Sequence, residues 1–159
     1  MKINIICLGK IKEKFLQDGI EEYKKRISKY ASIEVIELSD ESIPDNASQK
    51  EIDNIKKKEA TKIKSHIDSH DFVCALDLSG KQLTSEEFAN KLNDITVQGF
   101  STIDFIIGGS LGIDKDLVTN SNMAISFSKL TFPHQLFRMI LLEQIYRAFK
   151  INNNETYHK

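Results

Sequence analysis

Apolar runs rich in β-branched residues alternate along this chain with longer amphipathic stretches, and that alternation restricts the fold more than any other feature. Lys2–Leu8 (KINIICL) is an apolar run closed by Gly9, the pattern of a buried strand. Leu16, Ile20, Tyr23, Ile27 and Tyr30 then recur at spacings of 4, 3, 4 and 3, one stripe of a helix over residues 12–30. Ser32–Leu38 alternates polar and apolar residues, as a half-buried strand does. Residues 39–47 read as an acidic loop. Ser48, with Glu51 three positions on, makes a capping box and opens a helix carrying Ile52, Ile55, Ile63 and Ile67 on one side. The rhythm then repeats. A strand over 71–78 is closed by Ser79 and Gly80, and a helix starting at Thr84 or Ser85 turns Phe88, Leu92 and Ile95 inward. A strand over 103–107, a short helix over 114–121 and a strand over 124–128 follow. Pro133 belongs in the first turn of a last helix that Thr131 caps and that runs to about Ile151. The expected fold is α/β: a mostly parallel sheet of five to six strands with helices on both faces.

A chain of 159 residues with no internal linker or repeat reads as one domain over 1–159, ending in an irregular tail over 152–159. With 40% hydrophobic and 28% charged residues it can build a core, so a disordered or fibrous chain is excluded. No apolar stretch approaches the ~20 residues that span a bilayer. The opening run meets lysines at once and offers no small-residue cleavage site, so a cytoplasmic protein without a membrane partner is expected. Cys7 and Cys74 both fall in apolar strands and read as buried free thiols. No Cys/His spacing suits zinc, so no metal is expected. A net charge of −1 argues against binding nucleic acid by bulk charge, leaving local clusters as candidates: Lys10, Lys12 and Lys14, and Lys24, Lys25 and Arg26.

The last helix is apolar on too many positions for one stripe. One face covers the sheet, and a second, including Ile145 and Phe149, is expected to be hidden by a copy of itself in a homodimer. The alternative is a central helix wrapped by its own chain.

Open parallel sheets bind ligands beyond the carboxyl ends of their strands. Residues 76–80, 108–112 and 127–132 therefore form one candidate pocket. Gly108-Gly109-Ser110-Leu111-Gly112 follows a strand but is neither a Walker loop nor a dinucleotide fingerprint. Residues 127–135 mix two phenylalanines with hydroxyls, Lys129 and His134, which a plain connecting loop does not require. On composition alone Arg147 reads as a salt-bridge residue and His134 as a capping or packing histidine.

The strings LDLSGK (76–81), IIGGSLG (106–112), FSKLTFPHQLFR (127–138), EQIYRAFKI (143–151) and the final YHK together resemble the SPOUT methyltransferases, across the whole chain. Within that family they are most similar to the bacterial branch that methylates N3 of a pseudouridine in 23S ribosomal RNA. The resemblance implies a trefoil knot in the C-terminal third and S-adenosyl-L-methionine as cofactor. It implies a homodimer through the last helix and the assembled ribosome as partner. It places the cofactor at Leu76, Gly108, Phe127, Ser128, Lys129, Leu130, Thr131 and Phe132, and catalysis at Arg147, Tyr157 and His158. Asn154 and Thr156 depart from the family's usual glycine and proline or alanine. Asn tolerates left-handed backbone angles, so the bend at 154 can survive. The polar run before Tyr157 has no reason to pack, so the tail is expected to order over bound nucleotide, with Lys159 near phosphate. Two other readings stand beside this one: a non-catalytic nucleotide- or RNA-binding module, and an α/β enzyme holding a phosphorylated ligand at GGSLG.

Overall fold

Two-residue periodicity divides each strand's side chains between two apolar layers. The computed structural model describes residues 1–157. Its elements run β1 (Lys2–Leu8), α1 (Lys14–Ile27), β2 (Ser32–Leu38), α2 (Gln49–Lys64), β3 (Phe72–Gln82), α3 (Ser85–Val97), β4 (Thr102–Ile107), α4 (Lys115–Thr119), β5 (Met123–Ser126) and α5 (His134–Asn152). Ile3, Ile5 and Cys7 of β1 enter one layer with Phe105 and Ile107 of β4. They pack on Leu16, Ile20 and Ile27 of α1, Phe88, Leu92 and Ile95 of α3, and Leu141, Leu142 and Ile145 of α5. Ile6, Leu8, Ala75 and Ile106 enter the other layer, with Ala60 and Ile63 of α2 and Leu117 of α4. Helices thus cover both faces.

The sheet has five strands in the order β2-β1-β4-β3-β5, and every pairing is parallel. Cys7 and Cys74 are free and buried. The expected capping box at Ser48 forms, and a second one, not read from the sequence, forms at Thr84. Ser48 N–H donates to Glu51 at 2.7 Å and Glu51 N–H returns to the Ser48 hydroxyl at 3.3 Å; Thr84 and Glu87 repeat this at 2.8 and 3.1 Å.

Four expectations are corrected. β3 does not stop at Gly80. Residues 77–80 leave the register, and Lys81 and Gln82 pair with β5 again. Gly80 presses so closely on β5 that a Cβ there would lie 2.5 Å from the Ile125 amide nitrogen. Pro133 is the N-cap of α5 rather than part of its first turn, and Thr131 makes no cap. On α2 the buried positions are Ile55, Glu59, Ala60 and Ile63, with Ile52 half-buried. Finally, Ile145 does not face outward. It is fully buried, because α5 lies between α1 and α3 on the sheet. The chain itself therefore wraps much of the apolar excess on α5, while Leu136, Phe137, Met139, Ile140 and Phe149 remain half-buried.

Candidate active site

The carboxyl ends of β3, β4 and β5 converge at one edge of the sheet. A cleft of about 410 Å³ opens there, within the usual range for small-molecule sites. Seven of the eight residues expected to hold a cofactor line it: Leu76, Gly108, Phe127, Ser128, Leu130, Thr131 and Phe132. Lys129 does not. The Ser128 hydroxyl accepts Leu130 N–H at 2.9 Å, and this tight local turn leaves Lys129 exposed. Sequence reasoning missed Lys56 and Phe137 in the lining. Nothing local marks a residue that only the tertiary fold brings to a cleft.

The glycine loop is shaped by its own closure. Gly112 N–H donates to Gly109 O at 3.0 Å, and Gly112 takes a φ of +78°. A Cβ at Gly108 would stand 2.7 Å from Gly112 C and 2.9 Å from Ile113 N. Glycine at 108 therefore answers to the loop's own backbone, not only to space for a ligand. The helix that follows the loop offers no anion site of its own, because the Asp114 carboxylate caps the five-residue α4 by accepting Asp116 and Leu117 N–H at 3.1 and 3.3 Å. A carboxylate occupies the place an anion would need.

The two loop phenylalanines join an aromatic series. Phe127 meets Phe137 edge-on at 5.1 Å, Phe132 stacks on Phe137 at 5.9 Å, and Phe88 meets Phe127 at 6.0 Å. They fasten the loop to the first turns of α5. His134 lines the cleft, and burial, helped by the nearby Arg138 guanidinium, pushes its pKa below the ordinary value. Arg138 is fully buried and ties three elements together. It donates to Leu8 O at 2.6 Å, Gly9 O at 2.8 Å and Glu37 at 2.7 Å. An arginine in an apolar helix gives no sequence sign of such a role.

The residues expected to act on the substrate gather elsewhere. Arg147 Nε and Nη2 donate to Glu143 Oε1 at 3.1 and 2.6 Å. The Tyr157 hydroxyl donates to the same oxygen at 3.1 Å, and the Arg147 guanidinium lies 4.9 Å from the Tyr157 ring centre. Burial, then a hydrogen bond with Tyr23, push the Tyr157 pKa up to about 12. His158 and Lys159 lie outside the described residues.

The described part of the tail, up to Tyr157, packs on the fold without a ligand. Asn152 donates to Ala89 O at 2.8 Å, Tyr30 donates to Glu155 at 3.0 Å, and Glu155 pairs with Lys150. Asn154 takes a φ of +54°, so the left-handed bend exists without glycine. Of the basic candidates on α1, Lys14, Lys24 and Arg26 pair with Asp18, Glu21 and Glu22. Lys10, Lys12 and Lys25 are exposed.

Neither Arg147 nor Tyr157 lines the cleft. Phe137 does, and Arg147 lies ten positions further along α5, about 15 Å along the axis at 1.5 Å per residue.

A family model described as "Predicted SPOUT methyltransferase" matches residues 1–158. The chain belongs to the SPOUT methyltransferases. Three similar proteins are each named "Ribosomal RNA large subunit methyltransferase H". They come from Streptococcus uberis, Clostridium novyi and Clostridium beijerinckii, and are 55%, 54% and 56% identical over 159 residues, the whole of both chains. This SPOUT methyltransferase is therefore an enzyme of methyl transfer, and its family implies a knotted C-terminal third. Among its described residues no group of three or more His, Cys, Asp or Glu side chains could hold a metal ion, and no helix is long and apolar enough to cross a membrane.

Proposed function

We propose that this SPOUT methyltransferase transfers a methyl group from S-adenosyl-L-methionine to N3 of a pseudouridine in 23S ribosomal RNA. It acts as a cytoplasmic homodimer on the assembled ribosome. The observation that carries the reading is full-length identity of 54–56% to proteins named ribosomal RNA large subunit methyltransferase H.

The cleft suits the cofactor. Leu76, Ile125, Leu130 and Phe127 offer apolar walls to an adenine ring, while Ser128, Thr131 and the backbone of 108–112 offer polar partners to a ribose and an amino acid. Asp77 is the one carboxylate among its described lining residues, a favourable neighbour for a cation. S-adenosylmethionine, when bound, supplies a methyl group already activated by its positive sulfur.

The remaining work falls to the protein's side chains. N3 of a uracil ring carries a proton and attacks only once that proton leaves, when negative charge spreads onto the flanking carbonyls. Arg147 is suited to stabilise that charge. Tyr157, its pKa raised to about 12, keeps its proton at neutral pH and donates a hydrogen bond rather than accepting the N3 proton. We assign the N3 proton to His158, because an imidazole is the side chain whose unperturbed pKa, about 6.5, lies nearest neutrality. Transfer needs the reacting atoms about 3 Å apart. The separation of ~15 Å along α5 within one chain supports a site built from the cleft of one subunit and the Arg147–Tyr157 cluster of the other.

The test is mass spectrometry of ribosomal RNA from cells lacking the protein, before and after it is restored. N3-methylpseudouridine should disappear and return. Its persistence in the deleted strain would overturn the reading.

A further inference from the structure

We propose that Glu143 is the positioning residue of the methyl-transfer site: one carboxylate oxygen receives Arg147 Nε, Arg147 Nη2 and the Tyr157 hydroxyl, and so fixes both side chains relative to each other. This rests on the reading that Arg147 and Tyr157 act on the target base.

An i,i+4 ion pair on a helix surface ordinarily contributes a few tenths of a kcal/mol and positions nothing. Three observations separate Glu143 from that case. Its side chain is 19% exposed and that of Arg147 is 25% exposed, so the pair is largely withdrawn from solvent. The same oxygen also holds Tyr157, fourteen positions on and beyond the end of the helix, so it joins the tail to α5. Its second oxygen is held in turn. Gln144 Nε2 donates to Glu143 Oε2 at 2.6 Å, and the Ser85 hydroxyl donates to Gln144 Oε1 at 3.0 Å. Both oxygens are thus constrained, and the Arg147 guanidinium is left against the face of the Tyr157 ring. A carboxylate accepting this many donors is a good anchor. Ser85 and Gln144 line a second cavity of about 270 Å³ that shares Ile125, Ser126, Phe127 and Phe132 with the cleft. The anchor's support therefore begins beside the cofactor pocket.

Displacing a positioned group by about 1 Å can cost 10²-fold in rate. Single-turnover methylation of purified ribosomes at saturating S-adenosylmethionine should fall by about that factor in Glu143→Ala. Glu143→Gln keeps an acceptor without the charge and should recover part of the loss. Cofactor affinity, measured by calorimetry, should stay unchanged in both. Adding Tyr157→Phe to Glu143→Ala should lower the rate little further, since both changes break one arrangement. Two outcomes overturn the proposal while Arg147→Ala and Tyr157→Phe are themselves slow: Glu143 variants with full rate, or losses that multiply independently. Full rate in Arg147→Ala and Tyr157→Phe would instead remove the reading of the site on which the proposal rests. Glu143→Gln serves if Glu143→Ala fails to fold.

Discussion

A methyl group added at Gly108 would lie 2.7 Å from the Gly112 carbonyl carbon, so the first casualty of a substitution there is the loop itself. Gly108→Ala should lower stability by about 1–3 kcal/mol, the usual cost of overpacking, with cofactor affinity falling alongside. Urea unfolding checks this, and an unchanged midpoint would mean that the loop relaxes freely. Asp104 makes a different case. Asn4 Nδ2 donates to its Oδ1 at 2.8 Å, while Asp104 Oδ2 and Asn4 Oδ1 are buried without a partner among the described residues. Burial above all, with the neighbouring Asp71 carboxylate, pushes the Asp104 pKa from 3.8 up to about 6. The folded chain then holds this proton at pH values where the unfolded chain has lost it. Stability from this group is therefore present at low pH and is lost as pH rises from about 4 through about 6. Asp104→Asn should flatten that part of the profile, measured as urea midpoints between pH 4 and 7. An unaltered slope would clear Asp104 of the effect.

The start of α2 was legible because its signal is local: the four residues from Ser48 to Glu51 carry a capping box, and it forms as read, whereas the box at Thr84 and the Pro133 cap of α5 show only in the structure. Ser48→Ala should cost about 1 kcal/mol and leave methyl transfer unchanged, since Ser48 is not among the residues that line the cleft. A measured loss of activity at full stability would show that the first turn of α2, and not only Lys56 further along it, bears on the cleft. The pocket-forming strand ends were legible for a similar reason, because strand periodicity and the glycine loop locate them without knowledge of neighbours. What lay beyond local pattern was long-range. β3 continues past Gly80 because β5 offers it a second stretch of pairing, and Ile145 faces inward because α1 and α3 flank α5. Glu143 and Arg138 look like ordinary charges in the sequence. Only the tertiary fold brings Tyr157 to one and the end of β1 to the other.

The proposed homodimer with a composite site makes a prediction about the whole assembly. One subunit carrying a disabled cleft and another carrying Arg147→Ala are each inactive as homodimers. Mixed at random, half the dimers pair one of each and rebuild one complete site of two, so about a quarter of the activity should return. No recovery after verified subunit exchange would place both halves of the site within one chain. The order β2-β1-β4-β3-β5 bears on the newborn chain as well. β1 finds β2 by Leu38, but its other neighbour begins only at Thr102. At 5–20 residues per second of synthesis, that flank of β1 waits roughly 3–13 s for its partner. For those seconds a strand rich in isoleucine presents open backbone donors and acceptors to whatever surrounds the ribosome exit. The hazard for this protein is thus concentrated in its making, and co-translational chaperones have a defined stretch of backbone to shield.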